Sequence, residues 1–316
     1  GGLLASGALN FASIHSGTEG THLRTEVILG QDNTFAAREA AFEAEANVTQ
    51  TMKMLALGIS GVVSGSGNNT DSQTWSDVAV KTDEETSGEN TYKGKTDDST
   101  GDYSFEALNT AKQTSHVQGV DVAGVLTTGT NIAETKVHMD TDVELRGSKT
   151  DSRIGNLSAR ASGYADIESE ANGDGGALAD ISPYAAKVDN DFTSDTDVTL
   201  RGTWNVSGEL SAQALNGMDI DLDVNDMKEL VSRFKAYYHE QKGSDGAAVT
   251  TGGAQRYTAQ NQVQYTGNIN GSGYGGIGVH ATDYADDLDF DAGVTVNNST
   301  LHTTGSGGIT AQATTG

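Results

Sequence analysis

Carboxylates are the side chains of this chain best placed to do chemistry, and their spacing decides which chemistry. Asp219, Asp221 and Asp223 alternate with Ile220, Leu222 and Val224. In an extended strand alternate residues share a face, so the three acids stand in a row about 7 Å apart. A row of this kind is a solvated stripe. A calcium site instead needs several oxygens converging from a turning loop. Asp286, Asp287, Asp289 and Asp291 form a second acidic collection.

One further segment, Asn172-Gly173-Asp174-Gly175-Gly176, resembles part of a glycine-rich calcium-binding repeat, but it occurs once and such repeats act when stacked. The sequence thus supports weak calcium binding at most and names no metal ligands. The seven histidines, His15, His22, His116, His138, His239, His280 and His302, are scattered. The chain contains no HExxH, no Gly-x-Ser-x-Gly and no phosphate-cradling glycine loop followed by lysine. Cysteine is absent, which removes thiol nucleophiles, cysteine-ligated metals and disulfide staples. No catalytic or cofactor-binding constellation emerges, and the expectation is a protein that is not an enzyme. Asn-x-Ser/Thr acceptors stand at Asn47, Asn68, Asn156, Asn205, Asn270, Asn297 and Asn298, a set that suits a secreted glycoprotein.

The elements that must position these residues read as strands. Thr141-Asp142-Val143-Glu144-Leu145-Arg146-Gly147 matches Thr196-Asp197-Val198-Thr199-Leu200-Arg201-Gly202, and Gly155-Asn156-Leu157-Ser158-Ala159-Arg160-Ala161 matches Gly208-Glu209-Leu210-Ser211-Ala212-Gln213-Ala214. The repeated unit reads as a hairpin, present at 141–161 and again at 196–214, and duplicated strand pairs are how chains build sheets that grow. Met218 to Val224 alternates without a fault, as a strand with one wet face does. Phe35 to Ala46 has a helix-like composition, yet Phe42 to Thr49 alternates, which favours a long strand. At 225–242 the period changes: Met227, Leu230, Val231, Phe234 and Tyr238 fall at helical spacing, with Asn225 or Asp226 to cap the start and Gly243 the end. The expected fold is therefore mainly β: a single domain over 1–316 built as an extended antiparallel sheet of repeated hairpins, with one amphipathic helix packed on it.

Composition narrows the partners. The net charge of −25 argues against nucleic acid and anionic membranes, and no apolar run is long enough to span a bilayer as a helix. Residues 1–18 and 297–316 carry no Asp, Glu, Lys or Arg, and neutral segments pair readily with other chains. A single proline, Pro183, leaves long ladders uninterrupted. The chain opens at Gly1 without an initiator methionine, as a processed or trimmed chain does.

With its Thr-Asp-Val-x-Leu-Arg-Gly and Gly-x-Leu-Ser-Ala-x-Ala pairs, its sustained alternation, its acidity and its acceptor sequons, the chain resembles archaeal cell-surface structural proteins, and more narrowly the major sheath proteins of filamentous methanogens. The resemblance implies β-rich, amyloid-like tubes of stacked hoops around cells. The sequence-based expectation is a secreted structural subunit, located outside the cell, whose partner is itself: it assembles through sheet edges into a sheath, hoop or filament. An adhesin or carbohydrate-binding β-domain is the alternative.

Overall fold

A computed structural model describes residues 5–83, 89–96, 98–124, 126–177, 184–225, 239–245, 247–270 and 292–315. Within them the chain winds as a parallel β-solenoid. The first coil holds β1 (Ala5–Ser16), β2 (Leu23–Leu29), the short corner strand β3 (Thr34–Ala36) and the returning β4 (Glu39–Ile59). The second repeats the plan with β5 (Val63–Thr82), β6 (Thr91–Lys93) and β7 (Gly101–Ala123), and the third with β8 (Leu126–Leu145) and β9 (Ile154–Ala177). The fourth holds β10 (Tyr184–Leu200), β11 (Thr203–Val206) and β12 (Leu210–Asn225). Shorter coils follow: β13 (His239–Asp245), β14 (Ala248–Thr251) and β15 (Gln255–Asn270), then β16 (Ala292–Asn297), β17 (Thr300–Thr303) and β18 (Ile309–Thr315).

Among the described residues every strand ladder is parallel. One long sheet stacks β1 and β2 on β5, then β8, then β10. The facing sheet stacks β4, β7, β9, β12, β15 and β18. At one end the corner strands β11, β14 and β17 form a third column, joined to the second sheet where Val206 pairs with Ile154, so the ladder curls round that end.

This corrects the antiparallel expectation. The matched segments are not hairpin arms: Thr196 pairs with Thr141, Val198 with Val143 and Leu200 with Leu145. Likewise Leu210 pairs with Leu157 and Ala214 with Ala161. The copies lie on one another because their separation is the circumference of a coil. Each supposed hairpin is the end of one long strand, a corner, and the start of the strand that returns on the opposite sheet. The repeated Arg-Gly sits at that corner, where Gly202 adopts φ +74° and its backbone lies close against Gly147.

The helix expected over 225–242 is corrected at both of its ends, which are strand. Asn225 ends strand β12 and His239 to Lys242 lie in strand β13, while 226–238 fall outside the described residues. Asp286 to Asp291 and Pro183 fall outside them too. The segment from Phe42 to Thr49 is part of the 21-residue strand β4.

Strand alternation drives one row of each strand between the two sheets. At the corner end that interior is aromatic and aliphatic: Tyr92, Tyr103, Phe105, Trp204 and Tyr257 are buried with Val80, Val143, Leu145, Leu157, Leu200 and Leu210. Phe42 stacks on Phe105 at 5.2 Å, and Tyr92 meets Tyr103 edge-on at 5.0 Å. Trp204 settles its indole N–H on the Arg201 carbonyl at 2.9 Å. Toward the opposite end, where a tight turn joins Ile59 to Val63, the interior becomes polar. There Ser64 and Ser66 donate to the two oxygens of Asp121 at 3.0 and 2.7 Å. Asn10, Asn68 and Asn131, from three successive coils, form a hydrogen-bonded column at 2.9 and 2.7 Å. Thr70 meets Ser115 at 2.8 Å, Ser72 donates to Gln50 at 2.8 Å, and Ser76 donates to Asn109 at 2.8 Å.

Candidate functional site

Strand β4 is the longest stretch of backbone at a margin of the stack. It pairs with β7 residue for residue from Glu39 to Ile59 without a register shift, and among the described residues no other strand pairs with it. Soluble sheets blunt such margins with proline, bulges or dense lysine. Here the strand contains no proline and one lysine, Lys53.

Its outward-facing row changes character along its length. Glu39, Glu43 and Glu45 stand near the corner end. At the tight-turn end Leu55, Leu57 and Ile59 are 63%, 66% and 78% exposed. The next coil continues the patch: Val120 lies beside Leu57 and the half-exposed Val122 beside Ile59. On the outer face of the other sheet Leu9 and Phe11 are exposed and bound a hollow with Gly67, Gly129 and Ile132. Leu9 leans over Gly67, where a Cβ would stand 2.6 Å from its Cδ2. The first coil is thus apolar on both outer faces at its thin end, in a chain of net charge −25. Contiguous apolar surface of this sort marks an interaction site.

Elsewhere the outer faces carry ladders of charge. Arg160 pairs with Glu106 at 3.0 Å, Arg256 with Glu209 at 3.0 Å and Lys81 with Glu26 at 2.7 Å, and Lys112 pairs with Asp166. Histidines join in: His15 reaches Asp71 at 3.0 Å, His22 reaches Asp77 at 2.6 Å, and His116 reaches Glu168 at 3.1 Å. Each partner lies on the neighbouring coil, so these contacts tie coil to coil. Exposed pairs of this type contribute little individually. Trp75 stacks on His138 at 3.7 Å, and burial lowers the pKa of that imidazole, partly offset by Asp191.

In-register stacking also superposes like charges. Asp140 and Asp142 on β8 lie beside Asp195 and Asp197 on β10. Burial, followed by Asp140, Asp197, Asp195 and Glu144, pushes the Asp142 carboxyl up to about 9, so it holds a proton at neutral pH. Among the described residues no three histidine or carboxylate side chains are grouped to hold a metal ion. Asp219, Asp221 and Asp223 run along strand β12, and Asn172 to Gly176 along β9, in extended chain rather than in a turning loop.

The acceptor asparagines divide by position. Asn47, Asn156, Asn205, Asn297 and Asn298 are exposed. Asn156 also uses its side-chain oxygen to accept the Glu209 N–H at 3.0 Å. Asn68 lies inside the sandwich, with its amide donating to Asn131, and has no room for a glycan in the folded chain. Asn270 ends strand β15. The neutral segments lie at opposite margins of the stack, β1 beside β5 and β18 beside β15. The exposed strip of β4 was legible only as the run Met54-Leu55-Ala56-Leu57-Gly58-Ile59, whose alternate apolar residues do not announce which row faces out.

Compared with known proteins, the chain matches no family model, no curated protein and no solved structure.

Proposed function

We propose that this chain is an extracellular structural subunit that assembles with copies of itself through its strand margins into a sheath, hoop or filament. The observation that carries this reading is strand β4: 21 residues of regular ladder paired on one side among the described residues, with apolar Leu55, Leu57 and Ile59 beside that margin. A second copy continuing the parallel ladder would satisfy the backbone groups there and cover the apolar strip. A margin joined to a different margin makes a head-to-tail contact, which either closes into a ring or extends as a filament. The absence of disulfides agrees with a solenoid whose stability comes from stacking, since each coil buries its faces against its neighbours. Exposed acceptor asparagines agree with a location outside the cell.

Electron microscopy of the 316-residue chain tests the reading. Ordered polymers are expected, and a Leu55→Lys, Leu57→Lys double variant, which places charge at the margin, should abolish them while leaving the β-sheet circular dichroism intact. A chain that stays monomeric at high concentration, or a double variant that polymerises like the parent, would overturn it.

A further inference from the structure

Away from the β4 margin, the outer face of the second sheet holds a half-exposed aromatic ring leaning against a glycine of the next coil. Tyr164 on β9 pairs in register with Gly217 on β12, and Gly217 with Gln262 on β15. Because Gly217 lacks a side chain, the Cδ2–Cε2 edge of the ring leans in toward it: a Cβ there would lie 3.0 Å from Cδ2 and 3.6 Å from Cε2 of Tyr164. The ring remains 43% exposed. Around it is a hollow of about 340 Å³ bounded by Leu215, Asp219, Gln260 and Gln262. Asp219 and Asp166 lie close enough to raise the phenol's pKa, after burial as the main cause, and Lys112, paired with Asp166, opposes them.

We propose that this hollow binds a neutral saccharide. A flat aromatic face takes the C–H face of a pyranose ring, and planar amides and carboxylates beside it accept and donate hydrogen bonds to the ring hydroxyls. The volume holds about one sugar unit, and its open, shallow shape admits the interior of a polymer as readily as its end. Asp219 and Asp166, within a chain of net charge −25, select against uronic and sialic acids. The site uses coils three to five and none of the residues of the β4 margin, so it stands or falls separately from self-assembly.

Affinity electrophoresis of the full chain through gels containing a neutral polysaccharide (galactomannan or mixed-linkage β-glucan), with alginate as the acidic control, tests it. Retardation by at least one neutral polymer and none by alginate is expected. Tyr164→Ala should weaken that retardation about tenfold, the scale of one lost stacking contact. Gln262→Ala, at an exposed position, should weaken it less and serves as the second variant if Tyr164→Ala disturbs the fold. Binding of neither neutral polymer, equal binding of alginate, or retardation unchanged in both variants would overturn the proposal.

Discussion

The two ends of the sandwich are built from the same strands yet filled with opposite chemistry. At the corner end Tyr92, Tyr103, Phe105, Trp204 and Tyr257 fill a three-sided interior where the sheets stand apart around the corner strands. At the tight-turn end Ser64, Ser66, Asn68, Asn131 and Asp121 fill a thin one with hydrogen bonds. Apolar burial at the first end is non-directional and supplies bulk stability. The second end contributes less net free energy per contact, because each hydrogen bond replaces one to water. What it adds is register: Asn10, Asn68 and Asn131 meet only when each coil sits directly on the last, and a slip by one residue would turn the asparagine to the outer face. One end holds the stack together and the other aligns it.

Substitutions can break this comparison. Phe105→Ala should cost the most, about 3–5 kcal/mol, because it empties the centre of the aromatic cluster, and denaturant unfolding should show a lower midpoint. Asn68→Ala should cost about 1–3 kcal/mol, since it leaves the buried side-chain oxygen of Asn131 without its donor. Pairing Thr70→Val with Ser115→Ala removes both side chains of one buried hydrogen bond, together with the longer bond from Thr70 to the Ile132 carbonyl, and should change stability by less than about 1 kcal/mol. A loss as large as that of Phe105→Ala would show that the polar end supplies stability and not alignment alone.

A separate effect concerns pH. The folded Asp142 carboxyl is raised to about 9 while an unfolded aspartate titrates near about 3.9. Between those values the folded chain binds the extra proton, so this group's contribution to stability is complete below the lower value and is lost as pH rises toward the upper. Asp142→Asn should flatten that decline in a series of denaturation midpoints from acid to alkaline buffer. An unchanged slope would remove Asp142 as its source.

Strands were legible in the sequence because period-two alternation is a local signal, clear at Met218 to Val224 and in the pair Val143 and Val198. Strand direction was not, since parallel and antiparallel neighbours alternate alike. The spacing of the copies carried that information: 55 residues from Thr141 to its partner Thr196 is far longer than a hairpin and matches one circuit of the coil. Coil length also drifts, from 63 residues between Val63 and Leu126 to 45 between Leu210 and Gln255, which blurs any fixed period. The exposed strip of β4 and the dimple at Tyr164 depend on which row faces outward and on which glycine lies beside which ring. Both are set by stacking across coils rather than by neighbours along the chain.

The direct superposition of residues 141–161 on 196–214 has a genetic consequence. Recombination between the two copies would delete or add one whole circuit, and each new junction would join a strand end to a corner of its own kind. Such a gene can lengthen or shorten its product in whole units while every remaining layer finds a matching surface.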